Sequence, residues 1–358
     1  MHVALLTNRA WLDEELVPFQ HLVVGLIDER VRVAQVVPEG VSQDDLSAFG
    51  EIVGWGETSV SFLNRYRVSQ LNETLTGLGV DLIHALDGRM WQGGLKLAES
   101  MDVPIVLSAN SVLDIPLSKK ILGRVDVSRV AVTCATEPLT RAISENANAA
   151  MLIETIPTGV HRHEAKPPTL NEDQALCVIV SGNGDWDADY ESLLGGIRTF
   201  VNRWPTSQFF FDGQGSGQHQ LWKQASSMGL MGNISLTPRQ LGHRDMLLKA
   251  HALIHPQALG RSRSLTLRAF ARGLAVIARA DGYLDYLIDG ETAVVLNQPG
   301  PADWSAQLER LITDRESVQS LGHSASRWTN ENRPTSGQIN HVLEMYRRMA
   351  GQTIPFPG

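Results

Sequence analysis

The stretch ALCVIVSGNGDWDADYESLLGGIRTFVNRWPTSQFFFDG, residues 175–213, decides the fold. It opens with an almost wholly apolar run at 175–182, passes through a helical pattern near 189–203, and closes on a second apolar run at 208–213. Runs this short and this uniformly apolar are strands covered on both faces, and the helix between them makes a parallel crossover. Downstream the alternation continues with a helix near 217–228 and strands at 233–236, 252–254, 275–277 and 292–295. Upstream it is already present, with strands at 3–7, 30–37, 81–86, 104–109 and 130–134 and helices at 60–77 and 90–100. Three helices close the chain, near 302–313, 315–328 and 335–349. The economical reading is α/β with two Rossmann-like domains. The first spans 1–156, a Pro-containing hinge 157–168, and the second 169–330; 331–358 forms a helix returning toward the hinge.

Composition narrows the function classes. The chain has 358 residues, 43% hydrophobic and 20% charged, which is ordinary for two globular domains. No apolar run reaches the roughly 20 residues a membrane span needs, and Asp13, Glu14 and Glu15 stand where a signal peptide would be apolar. The expected location is the cytoplasm. Cys134 and Cys177 are far apart, each in an apolar stretch, so they are read as buried fillers. The net charge of −8 arises wholly in residues 1–160, which hold 12 Lys and Arg against 20 Asp and Glu. That balance speaks against nucleic acid and gives no indication of membrane association. The first strand exits as TNRAWLDEE, without a Walker sequence or GxGxxG, which excludes the common P-loop and dinucleotide sites.

Ligands of open parallel sheets bind beyond the carboxyl ends of the strands, so function belongs to the loops there. IPTGVH at 156–161, FFFDGQGSG at 209–217, HPQALGRSRSLTLRAFARGLAVIA at 255–278 and DGYLDYLIDGETAVVL at 281–296 occur in that order. DLIHALDG at 81–88 and DVPIVLSAN at 102–110 precede them. Together these segments resemble the family 4 glycosyltransferases of GT-B fold: a hinge strand, a Gly-x-Gly turn, a donor loop with its helix, and the acceptor-side strands. The resemblance implies two Rossmann-like domains facing each other across a cleft. It further implies a nucleotide-sugar or other anionic small molecule as partner, retaining transfer, and neither cofactor nor metal.

The same resemblance exposes substitutions. The family's two donor-side carboxylates correspond to Gly260 and Arg268. Asn183 stands at the position of its first diphosphate-binding cation, and Asp185, Asp187 and Asp189 surround the second. A carboxylate about 6 Å from a phosphate charge adds repulsion near 3 kcal/mol at an effective dielectric of about 20. The loop 182–189 is therefore expected to have lost family-type diphosphate binding. Compensation is expected from Arg261 and Arg263 which, with Ser262 and Ser264, open the donor helix, where free amides and bidentate guanidinium groups attract phosphate.

His84 and Asp285 are the catalytic candidates; a buried core role for His84 and an ion pair between Arg268 and Asp281 or Asp285 stand beside these readings. His255 ends the strand before the donor loop and is a candidate for ligand contact, while Gly213 and Gly215, with Asp212, border the expected base pocket. The Asp185, Asp187, Asp189 alternation lacks the Gly and Glu of an EF-hand, and His161, His163 and Glu164 have no further support as ligands. The leading expectation is a glycosyltransferase-like protein. The alternatives are a catalytically silent homologue binding a sugar, a phosphate or a partner, and another chemistry on the same fold, such as epimerisation.

Overall fold

The computed structural model describes residues 1–41, 46, 50–56, 61–162, 170, 175–182, 187–212, 218–237 and 243–351, with backbone only at 61–67, 218 and 243–245. The chain divides into two compact units: Met1–Gly159 together with Thr335–Gly358, and Val160–Pro334.

Unit 1 is built on seven parallel strands, β1 (His2–Leu6), β2 (Arg32–Pro38), β3 (Glu51–Trp55), β4 (Leu82–Ala85), β5 (Ile105–Ala109), β6 (Val130–Cys134) and β7 (Leu152–Thr155), in the order β3-β2-β1-β4-β5-β6-β7. The apolar runs of the sequence are its inner strands, buried on both faces. Alternation divides each strand between two cores. Ala4 and Leu6 pack with Trp91 and Leu97, while Val3 and Leu5 pack with Phe19 and Tyr346. The helices are α1 (Arg9–Asp28), α2 (Ser61–Leu78), α3 (Trp91–Met101), α4 (Asp114–Ile121) and α5 (Glu137–Ser144), and the chain's last helix, α12 (Thr335–Met349), returns to this unit. The apolar side chain of Ile339 lies so close to Gly25 of α1 that a Cβ there would meet it at 1.9 Å; α12 thus packs directly on the α1 backbone. The segment 156–161, read as a hinge strand, contributes only one bridge, Val160 to Pro334; the strand itself ends at Thr155, two residues before Pro157.

Unit 2 carries six parallel strands: β8 (Cys177–Val180), β9 (Gln208–Asp212), β10 (Ile234–Thr237), β11 (Ala252–His255), β12 (Ala275–Arg279) and β13 (Val294–Leu296). Their order is β10-β9-β8-β11-β12-β13. Its helices are α6 (Ala188–Val201), α7 (Gln218–Ser227), α8 (His243–Lys249), α9 (Ser264–Ala271), α10 (Pro301–Thr313) and α11 (Arg315–Asn332). The Gly195–Gly196 pair lets α10 approach α6 closely: a Cβ on Gly196 would meet Trp304 Cβ at 2.5 Å and the Pro301 carbonyl at 2.8 Å. Both sheets reverse their direction of growth once, between β1 and β4 in unit 1 and between β8 and β11 in unit 2. Those two points are where an open α/β sheet leaves a crevice for a ligand.

Candidate functional site

In unit 2 the crevice lies between the exits of β8 and β11, and polar residues converge on it. Ser181 and His255 follow apolar runs on neighbouring strands, Ser181 N–H bonding the Ile254 carbonyl at 2.8 Å. Strand alternation turns both side chains to the face that α9 covers. His255 is 2% exposed; its Nδ1 lies 3.4 Å from Thr266 Oγ1 in the first turn of α9. Its Nε2 and the Ser181 hydroxyl have no hydrogen-bond partner among the described residues. Burial, with Arg263 adding repulsion, brings the His255 pKa down to about 3, so the imidazole is neutral.

Arg263 occupies the N-cap position of α9 and is 3% exposed. Rather than presenting its guanidinium outward, it donates from Nη1 to the Gly182 carbonyl at 2.5 Å and stands 3.6 Å from the Asp212 carboxylate, itself 3% exposed. The charge expected to meet a ligand is therefore matched inside the unit. Gly182 must be glycine here, because a Cβ would fall 1.7 Å from the Tyr190 hydroxyl. The loop's aspartates are likewise engaged. Asp187 caps α6 by accepting from the amides of Asp189 and Tyr190, and it also accepts from Gln257 Nε2 at 2.5 Å. Asp189 pairs with Arg279. The described carboxylates of loop 182–189 are thus paired within the unit; Asp185 and Asn183 lie outside the described residues, as do Gly213, Gly215, His163 and Glu164.

The loop after β11 has a constrained backbone at the position read as a lost carboxylate. Gly260 has φ +56°, a left-handed conformation that side chains resist, and its amide is held by Asp281 at 2.6 Å. A glutamate at this backbone position would be strained. Arg261 follows, half-buried, and Ser262 and Ser264 are buried on either side of Arg263. Arg268 lies half-buried in the last turn of α9. Asp285 is tied to Arg333 at 2.5 Å, and that guanidinium lies over the Tyr286 and Trp328 rings. Tyr286 in turn accepts the Arg263 amide at 3.2 Å, and burial pushes its phenol well above the usual range. Ser181, Gln257, Thr266 and Tyr286 were missed from sequence. For Ser181 a signal existed: it is the polar end of an apolar run, as His255 is.

In unit 1, His84 is 2% exposed and saturated. Nδ1 bonds the Tyr346 hydroxyl of α12 at 2.6 Å, Nε2 bonds Ser108 Oγ at 2.7 Å, and Ser108 reaches Thr133 at 2.9 Å. Burial lowers the His84 pKa to about 3 and raises the Tyr346 phenol well above its usual range. At the crevice of this sheet Asn8, which caps α1, donates to Asp87 at 2.7 Å, tying the exits of β1 and β4 together. Asn110 donates to the Leu86 carbonyl at 2.8 Å. Among the described residues no three His, Cys, Asp or Glu side chains stand close enough to hold a metal ion, and no helix is long and apolar enough to cross a membrane.

No protein-family model matches the sequence, and no curated protein matches it. Solved structures do. A glycosyltransferase from Rickettsia africae superposes with a TM-score of 0.75 at 11% identity, over 98% of this chain and 99% of the other. Sucrose-phosphate synthase from Thermosynechococcus elongatus gives 0.75 at 14% identity, over 98% and 99%. HepE from Anabaena, solved with UDP and glucose, gives 0.73 at 12% identity, over 96% and 98%. At these identities the likeness shows the fold: two parallel-sheet α/β units in the GT-B arrangement of elements.

Proposed function

We propose that the chain is a retaining, family 4-like glycosyltransferase whose nucleotide-sugar donor binds in unit 2, at the loop 256–263 and the N-terminus of α9. One observation carries the reading: the likeness to glycosyltransferases, one of them solved with UDP and glucose, runs over nearly the whole of both chains. The crevice between β8 and β11 supports the placement, because its loop delivers the first amides of α9 and the half-buried Arg261 to one place.

In this reading the leaving diphosphate is held by the α9 amides and Arg261, with no metal taking part. Arg263 contributes indirectly, its charge neutralised by Asp212 while its main chain fixes the helix start. The neutral His255 imidazole and the Ser181 hydroxyl each have a hydrogen-bonding site left for a ligand oxygen or a water. No carboxylate stands at positions 260 and 268 to orient the sugar, so transfer is expected to be slow: one missing preorganised group costs roughly 10² to 10³ in rate.

The test is a thermal-shift screen of nucleoside diphosphates and nucleotide-sugars, followed by assay of the hits for transfer and hydrolysis. A true donor at about 100 times its Kd stabilises by roughly 2.7 kcal/mol. Arg261→Ala is expected to weaken that binding by about 1.5–3 kcal/mol, as loss of a charged hydrogen bond does. Failure of every nucleotide to bind sinks the reading. Binding through Arg261 with no sugar transferred or hydrolysed would make the chain a silent homologue that holds a sugar nucleotide.

A further inference from the structure

Unit 2 carries a cavity of about 1170 Å³ at the β13 edge of its sheet, away from the crevice between β8 and β11. It is bounded by the start of β12, by β13, by the last turns of α10 and by α11. Its volume exceeds the roughly 300–1,000 Å³ that hold a drug-sized ligand.

α11 is dressed differently on its two sides. By one side it is docked: Gly322, Ala325 and Thr329 are buried there, and a Cβ on Gly322 would meet the Gly273 carbonyl oxygen at 2.0 Å. The side turned to the cavity carries Glu316, Gln319, Ser320, His323, Ser324 and Arg327, spaced i, i+3, i+4, i+7, i+8 and i+11. That is the spacing of an apolar stripe on a helix that closes over a core, yet here every member is polar. The core itself is present beneath, with Val294, Leu296, Val318 and Leu321 partly buried in the lining and packed against the interior of the unit. Among the described residues none of the six polar side chains has a hydrogen-bond or ion-pair partner.

We infer that this cavity binds a neutral oligosaccharide. In its lining Asp289 and Glu316 balance Arg310 and Arg327, and Arg310 is paired with Asp314 at 3.6 Å, so nothing there draws phosphate. Among the described residues no aromatic side chain lines it, which leaves a nucleobase nothing to stack on. A peptide strand would add to the β13 edge through the main chain of Val295, because the Leu296 carbonyl turns inward to the Ala280 amide at 2.8 Å. That edge is closed: the Val295 amide is held by Asp289 Oδ1 at 2.9 Å. A sugar chain uses what remains. Its ring C–H faces pack on the aliphatic floor, and its hydroxyls donate and accept at once, matching a row of carboxylate, amide, hydroxyl, imidazole and guanidinium groups. The volume suits several rings rather than one. The inference goes beyond the nucleotide-sugar reading and does not rest on it.

The experiment is calorimetric titration of the full chain with maltoheptaose, cellohexaose, chitohexaose and mannohexaose, the hit being mapped by hydrogen exchange. An anionic oligogalacturonate and an extended Val-Thr peptide are titrated beside them. At least one neutral oligosaccharide is expected to bind and to slow exchange in β13 and α11. Each lost hydrogen bond costs about fivefold, so the triple variant Gln319→Ala, Ser320→Ala, Arg327→Ala should lose about a hundredfold. Its melting temperature should not change, since all three side chains are exposed. Nucleotide-sugar binding, measured separately, should be the same in this variant as in wild type, which keeps the two readings apart. Ser324→Trp should block the cavity outright. Failure of all four neutral sugars, protection mapped elsewhere, or equal binding by the triple variant overturns the proposal. So does tighter binding of the oligogalacturonate or of the peptide, which would assign the cavity to that class instead.

Discussion

His84 and His255 occupy equivalent places in the two units: each lies on the inner strand just past the point where its sheet reverses, and each is desolvated to a pKa of about 3. They differ in what they touch. Both nitrogens of His84 are taken by hydroxyls at 2.6 and 2.7 Å, whereas His255 has a long contact to Thr266 at 3.4 Å, a hydrogen bond with the Gln257 backbone, and an Nε2 with no partner among the described residues. Burial is thus the same while satisfaction is not. A buried polar group with all its bonds made is part of the core; one with a bond to spare beside a ligand crevice is held for something else.

The largest test of this difference is stability. His84→Ala removes a packed ring and leaves two buried hydroxyls short of a partner. It is expected to destabilise unit 1 by about 4 kcal/mol, read as increased hydrogen exchange across β4–β6. His255→Ala should cost unit 2 roughly half of that and instead abolish most nucleotide-sugar affinity. Equal stability losses with unchanged affinity would put both histidines in the same structural class.

A pH-dependent effect sharpens the likeness between them. Each imidazole is neutral in the folded chain down to about pH 3 but takes a proton near pH 6.5 when unfolded, so the unfolded state binds more protons between these values. Their contribution is intact above pH 6.5 and falls as pH drops toward 3, by about 1.4 kcal/mol per pH unit for each histidine. Denaturant midpoints measured across that window should show His84→Asn losing its share of the slope in unit 1 and keeping that of unit 2. The smallest effect separates the pair again. Ser108→Ala breaks a short bond and should cost about 1–2 kcal/mol, whereas Thr266→Val should cost about 0.5 kcal/mol, since a 3.4 Å contact contributes little.

The inner strands were legible because they are buried on both faces and read as unbroken apolar runs. β3 and β7 were not, since they are the edges of their sheet: EIVGW and LIET carry Glu51, Gly54 and Glu154, and their residues are partly exposed. In the candidate site, loop 256–263 and the start of α9 could be located because a strand exit followed by a helix marks itself. The state of Arg263 could not. Its partners, Gly182 and Asp212, come from two other strands, and only the lateral order β9-β8-β11 brings them beside it. Nor could the backbone at position 260 be read from residue type alone, because a positive φ is not displayed by one letter.

The return of α12 to unit 1 has a consequence for how the molecule is made. A ribosome delivers all seven strands of unit 1 and then the whole of unit 2 before Tyr346 and Ile339 emerge. Until then α1 alone covers one face of the first sheet, and His84 lacks the hydroxyl that later closes over it. Unit 2 can finish as a continuous piece of chain, so the second half of the protein completes its core before the first.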